Sequence, residues 1–406
     1  MKLGYYIAKR LSLSKQHSFT KTITTLAIAA ISLSVCVVIL AFGILLGFKK
    51  EIREKVQGYA GDINITRYQL AKGSETNNFN IDTSFLKQLN TEPYLISAYP
   101  FINKAGIIKS DSTLEGIVLK GFPGDYDFSF YQKHLKRGKL PVYTDSIDSY
   151  DILLSEYTAT IMGVDTGARL NLYFIDNSDV RQRRPKVVGI FNTGLQEFDK
   201  QFGVAHLRML QRVIGQDYTI AGGYEIKVKN FGKVDEAIAS ITPFLDYNYA
   251  VQSIKELYPT IFQWLDLVDT NVIVIIALML IVAIINIITV LLILIIERIP
   301  MIGLLKSMGS PTRQVMSIFN WQGMFILLGG LLLGNGIALG AAFLQNTYKL
   351  ISLPADTYYM DAVPFYLPIQ YLLLINIGAL AACYICTYIP VRMISKITPA
   401  QSIRFR

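Results

Sequence analysis

Four stretches of this chain lack Lys, Arg, Asp and Glu altogether, although the whole chain has 39 basic and 30 acidic residues. They are residues 22–48, 270–296, 314–348 and 362–391. Each is longer than the roughly 20 apolar residues with which an α-helix crosses a bilayer core. These runs exclude an ordinary soluble protein. They predict an α-helical membrane protein with four transmembrane helices and a large water-facing insert, residues 49–269, between helices 1 and 2.

Cysteine and histidine are scarce, which limits the chemistry available to the chain. Cys36, Cys383 and Cys386 all lie in predicted spans, so the insert has no cysteine and must fold without disulfides. The CxxC spacing of Cys383 and Cys386 on a membrane helix favours small packing residues over a metal or redox pair. The three histidines form no HExxH pattern, and G-x-S-x-G and Walker A patterns are absent. The sequence predicts neither a catalytic residue nor a metal site, and it excludes a P-loop ATPase in this chain.

The positive charge is concentrated beside the predicted spans. The segments before the first run, between the second and third, and after the fourth hold twelve basic residues and one acidic residue, Glu297. An even number of crossings puts these segments on one side of the membrane, and the positive-inside rule makes that side cytoplasmic. Both termini are therefore predicted to be cytoplasmic and the insert to lie outside. Since the excess charge flanks spans, the net charge of +9 does not indicate a nucleic-acid partner.

The runs and charges divide the chain into segments. Helix 22–57 would measure about 54 Å, longer than the bilayer core, so its end is predicted to project as a stalk. Pro259 is predicted to kink a second stalk. The predicted segments are a cytoplasmic amphipathic N-terminal segment (1–21), transmembrane helix 1 with a stalk (22–57), a periplasmic α+β domain (58–252), a stalk with transmembrane helix 2 (253–296), a cytoplasmic loop (297–313), transmembrane helix 3 (314–348), a periplasmic loop (349–361), transmembrane helix 4 (362–391) and a cytoplasmic tail (392–406).

The insert alternates short β-like runs with helical patterns, which indicates an extracytoplasmic α+β domain with mixed or antiparallel sheets. The polar stretch 141–150 is predicted to separate two subdomains. In the third span, Gly330 and Gly334, and again Gly336 and Gly340, have the GxxxG spacing that lets helix backbones approach in lipid. Both packing inside the protein and a subunit interface remain open for these glycines.

The loop 297–314, ERIPMIGLLKSMGSPTRQ, is the most informative segment. Its charged start is followed by Ile302, Leu305 and Met308 at helical spacing, and Gly309 and a proline end the pattern. A short exposed helix with an apolar face needs a partner to cover it. A loop lying on the membrane surface is the alternative.

This loop resembles the coupling loop of the MacB/FtsX-type ABC permeases. Within that superfamily three further segments are similar to the lipoprotein-releasing LolC/LolE permeases. They are residues 189–199 (GIFNTGLQEFD), 353–361 (LPADTYYMD) and 389–404 (IPVRMISKITPAQSIR). The four segments occur in the family's order, and the resemblance covers nearly the whole chain.

The resemblance implies a permease subunit in the bacterial inner membrane that passes lipoproteins to a LolA-like periplasmic carrier. Its implied partners are a LolD-like cytoplasmic ATPase dimer and a second permease copy or a sister permease. ATP and Mg would be bound by that ATPase, and no cofactor by this chain. The residues implied to contact the ATPase are Glu297, Ile302, Leu305, Lys306, Met308 and Gly309. Gln182 and Arg183 match the family's polar docking pair for the carrier, in a stretch shorter than the family's hook. With Arg183, the neighbouring Arg181 and Arg184 form a basic turn that is predicted to take part in docking. A lipoprotein groove would involve Phe42, Leu46, Phe48, Phe262, Trp264 and Leu265.

Other functions remain open at this point. One is a MacB-type mechanotransmitting efflux permease, and another is an FtsX-like regulator of cell-wall hydrolases, although FtsX proteins usually carry a much smaller insert. The basic turn at 181–184 also fits an ordinary solvated hairpin. The sequence does not decide between a homodimer and a pair with a sister permease.

Overall fold

The computed structural model describes residues 5–6, 19–68, 77–110, 113–143, 149–176, 179–215, 218–354, 358 and 360–396. The chain forms two compact units. We call them the helical unit (Met1–Lys50, Trp264–Ser352 and Ala362–Arg406) and the sheet unit (Glu51–Gln263 and Leu353–Asp361). Apart from Tyr5 and Tyr6, the predicted amphipathic segment before residue 19 lies outside the described residues, as does the tail from residue 397.

Of the α-helices in the described residues, four are long and eight are short. The α-helices of the described residues are α1 (Phe19–Ala60), α2 (Thr83–Thr91), α3 (Ser129–His134), α4 (Glu156–Met162), α5 (Gln196–Gln201), α6 (Leu207–Ile214), α7 (Val234–Ile241), α8 (Ile254–Leu257), α9 (Pro259–Glu297), α10 (Ile299–Ser307), α11 (Thr312–Tyr348) and α12 (Ile369–Lys396).

Four of these helices, α1, α9, α11 and α12, are long and apolar enough to cross a membrane. Inside the helical unit they share a core of aliphatic side chains, with Ile31 and Ile39 of α1 and Ile287 and Leu291 of α9 fully buried. The insert lies between α1 and α9 in the chain, and it is built of both strands and helices. The predicted fold class is confirmed.

The two GxxxG pairs of α11 have different surroundings in the helical unit. A Cβ at Gly330 would lie 2.5 Å from the Ile31 side chain, and one at Gly334 would lie 2.8 Å from the Ser32 carbonyl oxygen. These two glycines therefore let α11 pack closely on α1. A Cβ at Gly336 or Gly340 would meet no atom within 4 Å. The first pair packs inside the protein, and a subunit contact stays a prediction for the second pair only.

The sheet unit contains an eleven-stranded sheet with one central path. The path runs β13-β1-β12-β3-β4-β10-β6-β9-β5; β7 also pairs with β3, and β8 pairs with β7. Most pairs are antiparallel, and β10 with β4 and β6 with β9 are parallel. The strands are β1 (Ile63–Arg67), β2 (Phe79–Asn80), β3 (Leu95–Lys109), β4 (Leu114–Phe122), β5 (Leu135–Gly138), β6 (Asp151–Ser155), β7 (Asn171–Asp176), β8 (Asp179–Arg183), β9 (Lys186–Phe191), β10 (Phe202–His206), β11 (Ile220–Ala221), β12 (Gly223–Val228) and β13 (Tyr249–Ser253).

The prediction that residues 141–150 separate two subdomains is wrong. Strand β5 before this stretch and strand β6 after it both pair with β9, so the chain returns to the same part of the sheet. The sheet is continuous because β3 is 15 residues long: it pairs with β12 near its start and with β4 and β7 towards its end. The polar composition of this stretch does not mark a domain boundary.

Candidate functional site

Helix α1 ends inside the sheet unit, where several carbonyls of its last turn accept hydrogen bonds. Gly61 has φ +69°, the left-handed conformation that glycine adopts without steric cost, and its N–H donates to the Gln57 carbonyl at 2.8 Å. The side-chain amide of Asn64 donates to the Ala60 carbonyl at 2.9 Å. Two carbonyls of the last turn therefore have partners away from water.

A third carbonyl of this turn, that of Tyr59, accepts a hydrogen bond from the ammonium of Lys120 at 2.8 Å. The same ammonium forms an ion pair with Glu225. Lys120 is only 3% exposed and Glu225 only 6%, and the Tyr126 hydroxyl donates to the carboxylate at 3.1 Å. A cation at a helix carboxyl end is favoured by the helix dipole. We call Lys120, Glu225 and the end of α1 the buried clamp.

Aromatic rings enclose the ammonium of the buried clamp. Lys120 Nζ lies 4.9 Å from the centre of the Phe101 ring, 5.1 Å from that of Phe122 and 5.3 Å from that of Tyr59. Lys120 is on β4 and Glu225 on β12, the two strands that flank β3. The ion pair therefore links β4 to β12 across β3, and Lys120 joins both strands to α1.

The chain leaves the sheet beside the point where it enters. Ile63 of β1 is aligned with Ser253 of β13, and the Ile254 N–H donates to the Asp62 carbonyl at 2.9 Å. Ser253 begins α8 with a capping box, in which its hydroxyl accepts from the Glu256 N–H and the Glu256 carboxylate accepts from the Ser253 N–H. Both connections to the long helices are thus fixed to neighbouring strands.

Pro259 has a different role from the predicted kink. It is the first residue of α9, where its missing N–H would have had no helical partner. Helix α8 ends at Leu257, so the second connection is a short helix followed by a new one. The prediction of a kink within one stalk helix is wrong.

The segment 189–199 that resembles the LolC/LolE family packs against both ends of the insert. The ring of Phe198 lies 4.5 Å from that of Tyr59 in α1 and 4.9 Å from that of Tyr258, which precedes α9. The next residue, Asp199, accepts hydrogen bonds from the backbone and hydroxyl of Thr193 and from the Gly194 N–H. We call the place where the end of α1 and the start of α8 meet the sheet the junction. The segment 189–199 therefore supports the junction through its packing.

Burial gives Asp199 an unusual titration. Desolvation raises the pKa of its carboxyl to about 6, and the hydrogen bonds from Thr193 and Gly194 offset only part of that shift. The pKa is higher in the folded protein than in the unfolded chain, so the folded state binds more protons between about pH 4 and 6. The contribution of Asp199 to stability is therefore greatest in acid and falls as the pH rises through this range.

The loop between α9 and α11 contains the predicted helix, but the apolar side chains exposed on it differ from the predicted set. Helix α10 ends before Gly309, whose φ of +85° stops the helix. Ile302 is fully buried against Val315, Phe319 and neighbouring side chains of the helical unit, and Leu305 is half-buried. Ile302 therefore completes the core of this unit and is not exposed, whereas contact between the half-buried Leu305 and an ATPase stays a prediction.

The exposed apolar side chains of α10 and its end are Leu304 and Met308, at 62% and 75% exposure. Lys306 donates from Nζ to the Ile394 carbonyl of α12 at 2.7 Å, and Glu297 is half-buried at the end of α9. Lys306 therefore ties the loop to the last helix. Contact between this loop and an ATPase stays a prediction, and Met308 is the one member of the predicted apolar set that is open to it.

The residues implied to dock the carrier lie on and after an edge strand. Strand β8 pairs only with β7 among the described strands. Arg181 donates to the Val213 carbonyl at 2.6 Å and is half-buried, whereas Gln182 is exposed. Arg184 donates to Asn171 Oδ1 at 3.0 Å, and Arg183 to the Gln182 carbonyl at 2.9 Å. Docking at this strand stays a prediction, and Arg181 is engaged in holding the hairpin to α6.

The residues implied for a lipoprotein groove separate into several contacts. In the helical unit the rings of Phe48 and Trp264 lie 5.5 Å apart, and Phe42 lies 5.5 Å from Tyr371 of α12. Leu46 is half-buried, and Leu265 is buried at 3% exposure. Phe262 belongs to the sheet unit, where it stacks on Phe231. Phe48 and Trp264 are thus the groove residues that the fold brings together, and binding there stays a prediction.

Comparison with known families defines the class of protein. Residues 24–244 match the family model described as MacB-like periplasmic core domain, and residues 273–399 match FtsX-like permease C-terminal. The first match covers more than half of the chain. This chain belongs to the MacB/FtsX-like permease family and is a multi-pass inner-membrane protein with a periplasmic α+β domain.

Within that family the full-length similarity is to LolC-type permeases. The lipoprotein-releasing system transmembrane protein LolC of Xylella fastidiosa (strain 9a5c) is 22% identical over 99% of this chain and 97% of its own length. LolC of Neisseria meningitidis serogroup B (strain ATCC BAA-335 / MC58) is 23% identical over 96% of each chain. The crystal structure of the periplasmic region of MacB from Actinobacillus actinomycetemcomitans covers 52% of this chain and 97% of that chain, at 16% identity and a TM-score of 0.36.

The buried clamp could not be identified from sequence periodicity. Its only sequence signal is charge inside two otherwise apolar strands: one charged residue in GIVLKGF and two in GYEIKV. The two paired residues, Lys120 and Glu225, are 105 residues apart in the chain.

Removing one charge of the buried clamp is expected to destabilise the protein strongly. Lys120→Met leaves Glu225 buried without its cation, at a cost of about 3–5 kcal/mol. The double variant Lys120→Met with Glu225→Met removes both charges and is expected to lose much less. Thermal unfolding of the full-length protein in detergent measures the loss of stability in both variants.

Lys227→Met is the matched control, because Lys227 is on the same strand as Glu225. Its ion pair with Asp127 is half-exposed, so the loss of stability in this variant is expected to stay below about 1 kcal/mol. Equal losses for Lys120→Met and Lys227→Met would contradict the role of the clamp.

Proposed function

We propose that this chain is the permease subunit of an ABC transporter that extracts lipoproteins from the inner membrane and passes them to a periplasmic carrier. The observation that carries the proposal is similarity over essentially the whole chain to two proteins described as lipoprotein-releasing LolC. A MacB-type efflux permease is the alternative that the family models alone would also fit. The full-length relatives favour lipoprotein release.

In this proposal energy comes from a separate cytoplasmic ATPase that binds ATP and Mg, while this chain binds no cofactor. The ATPase contacts the loop 297–313, so this loop and both termini are cytoplasmic. The concentration of basic residues beside these segments supports that orientation. A second permease, either another copy of this chain or a sister protein, completes the transporter.

The proposed mechanism is mechanical transmission through α1. This helix is continuous from Phe19 to Ala60. The buried clamp bonds its last turn to β4 directly and to β12 through the ion pair. A continuous helix with a capped end transmits displacement without first unwinding its last turn. Movement of α1 in the membrane would therefore move the periplasmic sheet, including the β7–β8 hairpin proposed to meet the carrier.

Depletion of this protein is expected to leave mature outer-membrane lipoproteins in the inner membrane, because their extraction would stop. Membrane fractionation followed by detection of several lipoproteins measures the effect, and an integral inner-membrane protein is the control for fractionation. Complementation by the wild-type gene should restore sorting. Unchanged lipoprotein sorting after depletion, together with loss of drug efflux, would contradict the proposal and favour the MacB-type alternative.

The exposure of the apolar side chains at α10 predicts which substitutions weaken binding of the ATPase. Met308→Asp places a charge on an exposed apolar side chain, and co-purification of the ATPase is expected to fall about tenfold or more, because burying such a side chain is worth about 1.5–3 kcal/mol. Thermal stability of the permease should not change. Ser307→Asp, at the neighbouring exposed polar position, is the matched control. Ile302→Asp should instead lower the thermal midpoint of the permease itself. Full co-purification with Met308→Asp would contradict contact at this face.

A further inference from the structure

Two basic side chains of the sheet unit converge on one aromatic ring. The guanidinium carbon of Arg53, on α1, lies 5.1 Å from the centre of the Phe231 ring. The ammonium of Lys255, on α8, lies 5.3 Å from the same centre. Phe262 of α9 stacks on Phe231 with 6.0 Å between ring centres and 18° between planes. We call Arg53, Lys255, Phe231 and Phe262 the cationic cluster.

The positive charge of the cationic cluster is not balanced within the described residues. Arg53 and Lys255 have no carboxylate of those residues within 4 Å, unlike Lys233, which pairs with Glu236 at 3.4 Å. Sharing one ring holds the two cations no more than about 10 Å apart, where like charges repel. Contact with the ring offsets part of this cost. An anion bound between the two side chains would remove the remaining repulsion between the two cations.

The position of the cluster along the helices indicates the source of that anion. Arg53 follows Phe48, the last residue of the uncharged run, by five residues, which is about 7.5 Å of helix. The polar headgroup layer beyond the hydrocarbon core is about 5–8 Å thick on each side. Arg and Lys side chains extend towards this layer from residues beyond it, and aromatic rings are favoured beside them.

We propose that the cationic cluster binds the phosphate of an anionic phospholipid in the leaflet that faces the inserted domain. Arg53 would supply the paired donors that match a phosphate, and Lys255 a second positive charge. Phe231 and Phe262 would give the glycerol and upper acyl chain an apolar wall. The site joins residues of α1, α8 and α9, so an anionic lipid would stabilise both connections of the insert. This inference does not depend on the cargo of the transporter.

The experiment measures lipid retained by the full-length protein purified from nanodiscs of phosphatidylethanolamine containing a minor fraction of phosphatidylglycerol. Bound lipids are extracted and counted by mass spectrometry. The wild type is expected to enrich phosphatidylglycerol above its fraction in the nanodisc. Affinity should fall roughly fivefold for Arg53→Gln or Lys255→Gln and about thirtyfold for the double variant, from the attraction of each basic residue to an anionic leaflet. The charge-preserving variant Arg53→Lys with Lys255→Arg should retain enrichment.

Lys87→Gln with Lys109→Gln is the matched control, because it removes the same charge from exposed positions of the same unit. Equal loss of enrichment in this control would overturn the site and indicate a general charge effect. Displacement of phosphatidylglycerol by excess inorganic phosphate would overturn the assignment to a lipid and indicate a soluble anion. Thermal midpoints of all variants show that each is folded, and no enrichment in the folded wild type would also overturn the inference.

Discussion

The buried ion pair of Lys120 and Glu225 is the interaction on which the rest of the structure depends. Two charges removed from water are costly unless their remaining hydrogen-bonding groups are satisfied. Here the Tyr59 carbonyl and the Tyr126 hydroxyl supply those partners. This requirement holds the end of α1 against β4 and β12, because moving the helix would take the Tyr59 carbonyl away from the buried ammonium. The pair therefore specifies one geometry for the junction, whatever its net contribution to stability.

Residues that are far apart in sequence meet at the same junction. Phe198 touches the aromatic side chains at both ends of the insert, and Asp199 holds the turn that places Phe198. The capping box at Ser253 directs the chain away from the sheet, and Pro259 begins the next long helix. The segment that most resembles the LolC/LolE family in the periplasmic domain thus supports the connection between helix and sheet.

Local patterns predicted much of this fold. Uncharged runs located the four long helices, and short β-like runs between helical patterns indicated the α+β insert. Pairings between distant segments were not accessible, because β10 joins β4 in parallel and β5 and β6 meet on β9. Helical spacing likewise identified α10 but not which side of it packs, since Ile302 and Met308 are equally apolar in sequence. For the candidate site, sequence motifs located the loop 297–313 and the β7–β8 hairpin, whereas only the tertiary structure identified the buried clamp.

Transmission through α1 requires that the last turn of this helix, in the sheet unit, stays bonded to the sheet while the proposed transporter works. Hydrogen exchange of the amides at the junction tests this most directly, with Gly61, Val228 and Ile254 as reporters because their N–H groups bond to Gln57 or Asp62. The measurement compares the permease in complex with the proposed ATPase, with and without ATP turnover. The account predicts that these amides stay equally protected in both conditions. Faster exchange during turnover would mean that the junction opens, and it would contradict rigid transmission through α1.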